Sequence, residues 1–443
     1  MALSQLDRRI AALAIPALGT LAIEPLYVLV DTAIVGRLGT VPLGGLALAS
    51  TVLTTLLWAF NFLSFGTTAR VAFLTGRDDA VGAAGVAAQG LWLSGVIGIP
   101  LALFVGFGGH AMAAGLGGQG DVLEAATTYL RISAIGMPAV LIALVGQGHL
   151  RGLSDTRTPL AVVLVANLLN VALELILVYG FHLGIAGSAW GTVAAQLVAA
   201  AWFVVLTGRR VAAAGAPLGP NRKEMANLVV IGRHLFVRTG ALLATLAIAT
   251  SVAARVSQAT LAGHQIALQI ETFLALSLDA LAIAAQAMVG TMLGGGRAIE
   301  ARDTGRRLLT LGLGAGIILA VVVVALSPVI PHIFTADPAV LHRAMLGLIV
   351  VGVLQIPGSV AYTLDGVLMG ASDFRFLQWA VVLSGLAFLP MAAAVLHWPS
   401  LGIVGVWCGL LVWMTVRAGF NLGRFSSDRW TVALLGSAAG SSH

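Results

Sequence analysis

A chain of 443 residues that is 59% hydrophobic and 9% charged is no ordinary soluble domain, where about 25% of residues carry charge. Its net charge of +6 would suit nucleic acid, but the distribution of the basic residues argues for a membrane instead. The single cysteine, Cys408, excludes an internal disulfide and reads as a small core hydrophobe, and the nine histidines make no metal-ligand spacing.

The polar start, Met1 to Ile10, carries Arg8 and Arg9. The apolar segment behind it runs to Gly36, too long for a signal-peptide core, and reads as a retained first helix. Apolar stretches near 20 residues then recur to the end, each able to cross about 30 Å of hydrocarbon. The pattern predicts twelve spans, at 11–36, 44–70, 85–108, 132–150, 159–180, 187–207, 233–254, 261–290, 308–334, 345–370, 377–396 and 401–419. An all-α integral membrane protein is the fold class, because lipid-exposed backbone must satisfy its own hydrogen bonds. With a cytoplasmic N-terminus, 20 of the 24 basic residues fall on the inner side, Arg151, Arg238 and Arg417 among them. The excess places both termini in the cytoplasm.

The chain repeats itself. Shifted by 218 residues, Gln147-Gly-His-Leu-Arg-Gly-Leu-Ser-Asp155 lies on Asp365-Gly-Val-Leu-Met-Gly-Ala-Ser-Asp373, and Leu183-Gly-Ile-Ala-Gly187 on Leu401-Gly-Ile-Val-Gly405. Each copy holds six helices. Six is even, so both copies enter from the same side, and a pseudo-two-fold axis along the membrane normal should relate them. The expected organisation is an N-terminal lobe at 1–207, a cytoplasmic linker at 208–232, a C-terminal lobe at 233–419 and a cytoplasmic tail at 420–443. Gly215, Pro217, Gly219 and Pro220 mark the linker.

Six carboxylates lie inside the apolar segments: Glu24, Asp31, Glu174, Glu271, Asp279 and Asp365. A charge at membrane depth costs about 2.5 kcal/mol or more on insertion scales and marks an ion path or proton relay. Under the 218-residue shift none has an acidic twin, so the scaffold was duplicated and the charge was not. That asymmetry favours different duties for the two lobes.

In the first lobe, Glu24 and Asp31 are seven apart, two turns along one face. Pro25 lies between them and Pro16 offers a second bend, each removing a backbone donor. Asn170 and Glu174, four apart, share a face, and Gln147 and Thr192 can add neutral hydrogen-bonding groups. Desolvation and mutual repulsion favour the neutral form of clustered carboxyls, so such a cluster can load and release a proton. Oxygen-rich surroundings at Asp31, Asn170 and Glu174 equally suit sodium. Glu271, Asp279 and Asp365 read as second-lobe or substrate-cavity acids. The competing readings are an interfacial position for Glu24 and a structural hydrogen bond for Asp365. Gly294-Gly-Gly296 follows no strand and lacks a Walker lysine, which argues against a phosphate loop. His264 reads as a packing or water-bridging residue.

These motifs together resemble the multidrug and toxic compound extrusion (MATE) family, in its DinF-like branch. The resemblance rests on Pro25 through Asp31-Thr-Ala-Ile-Val-Gly36, Gly263-His-Gln265, Leu150-Arg-Gly152 to Asp155-Thr-Arg-Thr-Pro159, Asn170 to Glu174, and Leu364-Asp-Gly366 to Gly370-Ala-Ser-Asp373. It implies a V-shaped pair of six-helix bundles and alternating access. It also implies that Asp31 pairs with Asn170 and Glu174, supported by Gln147 and Thr192, with a hinge in helix 1 at Pro16. Three departures stand out. Glu174 replaces the usual aspartate, and Glu24 sits where an amide is expected. Helix 7 lacks the acid that NorM-type members carry.

The resulting expectation is an antiporter in the plasma membrane, driven by protons or else sodium, that exports organic cations. It needs no cofactor beyond the ion gradient, no metal and no nucleic acid. Its partners are the bilayer and small organic substrates, and it acts as a monomer. A lipid-linked precursor flippase of the same superfamily is the alternative cargo reading. A membrane-embedded enzyme would need a nucleophile with a base, or a metal set, and the sequence offers neither.

Overall fold

The computed structural model describes residues 4–427 and 429–431, so most of the expected tail, Asp428 and 432–443, lies outside the described residues. All described regular structure is helical. In chain order the helices are α1 (Gln5–Gly36), α2 (Thr40–Phe60), α3 (Phe62–Gly76), α4 (Ala80–Gly115), α5 (Gly120–Ala134), α6 (Met137–Gly152) and α7 (Arg157–Glu174). A π-helical turn, Leu175–Gly180, continues α7. Then follow α8 (Gly184–Ala213), α9 (Arg222–Val256), α10 (Gln258–Gly294), α11 (Ala298–Leu326), α12 (Pro338–Gly370), α13 (Phe374–His397) and α14 (Gly402–Ser426).

Among the described residues, eleven helical segments are long and apolar enough to cross a membrane, with α2 and α3 counted as one. The pair α5 and α6, bent by 53°, supplies a twelfth. The helices outrun the apolar stretches that define the spans. α4, at 36 residues, is about 54 Å long at 1.5 Å per residue and projects beyond the hydrocarbon at its ends. The same extension shortens the expected strap at 208–232. α8 continues to Ala213 and α9 begins at Arg222, leaving 214–221 as the non-helical link.

Local chemistry explains where the helices start. Asp79 caps α4 by accepting from the Gly82 amide at 2.7 Å. Ser257 caps α10 through the Thr260 amide at 3.1 Å, and Asp337, followed by Pro338, caps α12 through the Ala339 amide at 2.8 Å. Each satisfies a donor that a helix N-terminus leaves orphaned. The repeat is also written in the backbone. Asp78 and Gly296, Ser154 and Ser372, and Gly184 and Gly402 all adopt positive φ, between 54° and 71°, and each pair is 218 residues apart.

Contacts divide the chain into two compact units. One comprises 15–232, the other 1–14 with 233–443. The first packs Val86, Leu93, Leu130, Leu141 and Val145 into its interior. The second is built around Leu348, Val351, Phe388, Trp407 and Leu410. Asp7 belongs to the second unit, where Arg307 of α11 grips its carboxylate with two hydrogen bonds of 2.7 and 2.8 Å. α1 is helical without interruption through Pro16 and Pro25. The Thr20 hydroxyl bonds the Pro16 carbonyl at 3.0 Å, and the division between the units falls one residue before Pro16.

Candidate functional site

In the first unit the last turns of α1, the end of α7 and the start of α8 bring two carboxyls together. Asp31 is 5% exposed and Glu174 is fully buried. The Ser188 hydroxyl donates to Asp31 Oδ1 at 2.6 Å, and its oxygen stands 3.4 Å from Glu174 Oε1. A hydroxyl has one proton, so the short contact takes it and the long one leaves the serine oxygen free to accept from a protonated Glu174. Thr192, one turn along α8, lies 3.5 Å from Glu174 Oε1 and accepts from Asn170 Nδ2 at 3.1 Å. The Tyr27 hydroxyl meets Thr192 at 2.9 Å, and the buried Tyr129 lies close by. A continuous polar chain thus runs from Tyr27 through Thr192, Glu174 and Ser188 to Asp31. Glu174 Oε2 and Asn170 Oδ1 are buried without a partner among the described residues.

Small residues make this assembly possible. A Cβ on Gly191 would lie 3.0 Å from Glu174 Cγ and 3.2 Å from the Glu174 amide nitrogen. A Cβ on Gly187 would lie 2.9 Å from the Leu177 carbonyl carbon. α8 therefore presents glycine, Ser188 and glycine to the end of α7 at near-backbone distance. The π-helical turn begins directly after Glu174 and sends Tyr179 back to the Ile34 carbonyl at 2.8 Å, which ties the end of α1 to the same place. Extra-residue turns of this kind recur at functional sites.

The second unit holds a different arrangement. Asp365, 1% exposed, is gripped by Arg238 and Arg417 on one oxygen and by Asn421 Nδ2 at 2.7 Å on the other. The Arg417 guanidinium also lies 5.3 Å from the Tyr362 ring. Asp279 is half-buried within the field of the same two arginines. Glu271, also buried, accepts from the Gln355 amide. His264 meets Thr250 at 3.1 Å and packs on Trp407.

Residues 16–176 and 241–396 match the MatE family model. The chain belongs to the MATE family. Members of this family are multi-pass membrane transporters, not enzymes. Among its relatives, Protein DETOXIFICATION 44, chloroplastic, of Arabidopsis thaliana is 31% identical, over 94% of this chain and 81% of the relative. DNA damage-inducible protein F of Escherichia coli (strain K12) is 27% identical, over 97% of this chain and 94% of its own length. A solved structure, a MATE protein in the bent conformation, shares the fold with a TM-score of 0.89 at 21% identity, covering 98% of both chains.

Among the residues expected from the MATE pattern, Asp31, Asn170, Glu174 and Thr192 come together. Gln147 does not join them. Its Oε1 accepts from Arg151 Nη2 at 3.1 Å, because the two are one turn apart on α6 and Arg151 is buried with little else to bond. Glu24 is exposed, and no hydrogen bond reaches it among the described residues. The turns of α1 around it, from Leu26 to Val30, are largely uncovered, whereas Asp31, Ile34 and Val35 beyond them are buried. Asp365 is no open cavity acid but the counterion of two buried arginines. Arg238 and Arg417 accordingly sit inside their unit and not at the aqueous face where the charge count put them. Ser188, Tyr27 and Tyr129 were not foreseen. Hydroxyl-bearing residues are too common in such helices to stand out. Arg238 and Arg417 carried a usable signal, since each lies in or beside an apolar window where a charge is costly.

Proposed function

We propose that this MATE-family transporter is a cation-driven antiporter, coupled to protons, that exports organic, cationic small molecules by alternating access. On this reading it works as a monomer in the plasma membrane with both termini cytoplasmic. The observation that supports it is the pair Asp31 and Glu174, buried together and sharing the Ser188 hydroxyl. Two like charges in a dry interior repel, and one proton held between them relieves that repulsion. A ligand shifts a conformational equilibrium only as far as it binds one state better than the other. A pair that demands one positive charge when enclosed, and none when wetted, provides that difference. Ser188 can reorient its proton as the pair loads, while Thr192 and Asn170 hold the Glu174 carboxyl in place. The family relatives include one named a probable multidrug resistance protein, from Thermotoga maritima, which supports the cargo class.

Sodium is the second reading, favoured by Glu174 Oε2 and Asn170 Oδ1. Both are buried oxygens without a partner, and hard cations take oxygen ligands of this kind. Uptake of a fluorescent organic cation into proteoliposomes under separately imposed proton and sodium gradients decides between them. Proton coupling predicts transport with the proton gradient alone, in sodium-free buffer. Transport that ignores both gradients would overturn the antiport reading altogether.

A further inference from the structure

A cavity of about 360 Å³ lies within the first unit, at the ends of α3, α4, α6 and α8, away from the acid pair. Its lining includes Thr75, Asp78, Ala83, Ala84, His149 and Arg210. His149 is 1% exposed, yet neither ring nitrogen has a hydrogen-bond partner among the described residues. Arg210, half-exposed, is only partly committed. Its Nη2 reaches Asp155 at 3.4 Å, while Nη1 is buried without a partner. Buried donors left unpaired cost about 1–3 kcal/mol each, so a site that keeps two of them side by side calls for a ligand.

The lining defines that ligand. A guanidinium and an imidazole converge on one space, which suits an oxyanion with several acceptor oxygens. The first turn of the 36-residue α4 also faces the cavity, at Ala80 and Ala83, with its Gly82 amide already taken by the Asp79 cap. Asp78 also lines the cavity and opposes any anion there, so the hold of His149 and Arg210 has to outweigh it. The alanine wall accepts an apolar body attached to that group.

The internal repeat supplies a comparison. At the equivalent place in the second copy, Val367 stands for His149. There a Cβ on Gly305 would lie 2.8 Å from Phe425 and 3.7 Å from Val367, and Trp430, fully buried, stacks on Phe425. The second copy thus carries an apolar side chain where the first carries a buried, unpaired imidazole.

We infer that the first unit carries a phosphate-binding pocket, in which His149 and Arg210 hold a single phosphate group at the ends of α3, α4, α6 and α8. The group belongs either to an anionic phospholipid headgroup or to a soluble phosphate ester.

The test uses the full chain purified in detergent, with His149→Val, the residue the second copy already accommodates, and Arg210→Gln. Inorganic phosphate binding is followed by phosphorus NMR line broadening, and retention of phosphatidylglycerol by native mass spectrometry. Loss of one charge-assisted hydrogen bond should weaken binding by about tenfold or more. If both variants lose phosphate but keep phosphatidylglycerol, the ligand is soluble. The converse result assigns it to the lipid, and loss of both supports the pocket for either source. If the wild-type chain binds neither probe, or both variants bind as it does, the inference is overturned. Should His149→Val melt early, the half-exposed Arg210→Gln carries the test by itself.

Discussion

Gly191 stands where any side chain would strike Glu174, since an added Cβ would lie 3.0 Å from Glu174 Cγ and 3.2 Å from its amide nitrogen. The position of the acid is thus set by an absence on the neighbouring helix. Gly191→Ala should displace Glu174 by a few tenths of an ångström and lower coupled export. Gly191→Val should abolish it, with an overpacking penalty of about 1–3 kcal/mol. Export in proteoliposomes, alongside a thermal melt in detergent, checks both, and full activity in Gly191→Val would refute the close approach.

Asp31→Asn keeps the shape of the side chain and removes its charge. Coupled export should be lost while the protein inserts and melts as the wild type does. An unchanged export rate in vesicles would show that the acid pair is not the coupling site.

Ser188→Ala removes the hydroxyl that both carboxyls share. Because that hydroxyl makes a 2.6 Å bond to Asp31, its loss leaves a buried acceptor short of one hydrogen bond. The steepness of export against pH should change, as two acids no longer linked titrate separately. Stopped-flow dye efflux across a pH series measures it, and a superimposable profile would argue against the linkage.

Asp365→Asn should behave quite differently from Asp31→Asn. It strips the counterion from Arg238 and Arg417, both buried. Breaking one side of a buried ion pair costs about 3–5 kcal/mol, so yield and melting temperature should fall sharply. Adding Arg238→Gln in the same chain should restore part of the loss. A melt equal to wild type for Asp365→Asn would mean that this acid is not structural.

Gln147→Leu and Glu24→Gln test the residues that the structure separates from the pair. Neither should alter the ratio of ions to substrate moved, read by paired isotope and dye fluxes. A changed ratio in either would return that residue to the coupling site.

The helices, their order and the duplication were legible from hydrophobic run length and from one constant offset. The offset reappears in three pairs of positive-φ residues. The acid pair was also legible, because spacing puts Asn170 and Glu174 on one face and a charge in an apolar window is conspicuous. What joins the acids was not legible. Ser188 and Tyr27 acquire their meaning only from how closely α8 approaches α7 and α1, and that distance is set by Gly187 and Gly191. Gln147 misled because a helix face says which side a residue takes, not which neighbour claims it. Arg151, on the next turn, claims it first. Arg238 and Arg417 misled in the opposite way, since a charge count assigns arginines to the water and overlooks that one buried carboxylate can keep two of them inside.

The π-helical turn at Leu175–Gly180 holds one residue beyond what an α-helix of the same length would contain. Deleting a residue anywhere in Arg157–Glu174 would rotate all that follows by about 100° relative to what precedes it. Deleting one residue within Leu175–Gly180 would instead let that stretch tighten to ordinary helix while Glu174 and Ser188 keep their facing. The chain therefore carries, beside its acid pair, a short length of slack that absorbs a one-residue edit where its neighbours could not.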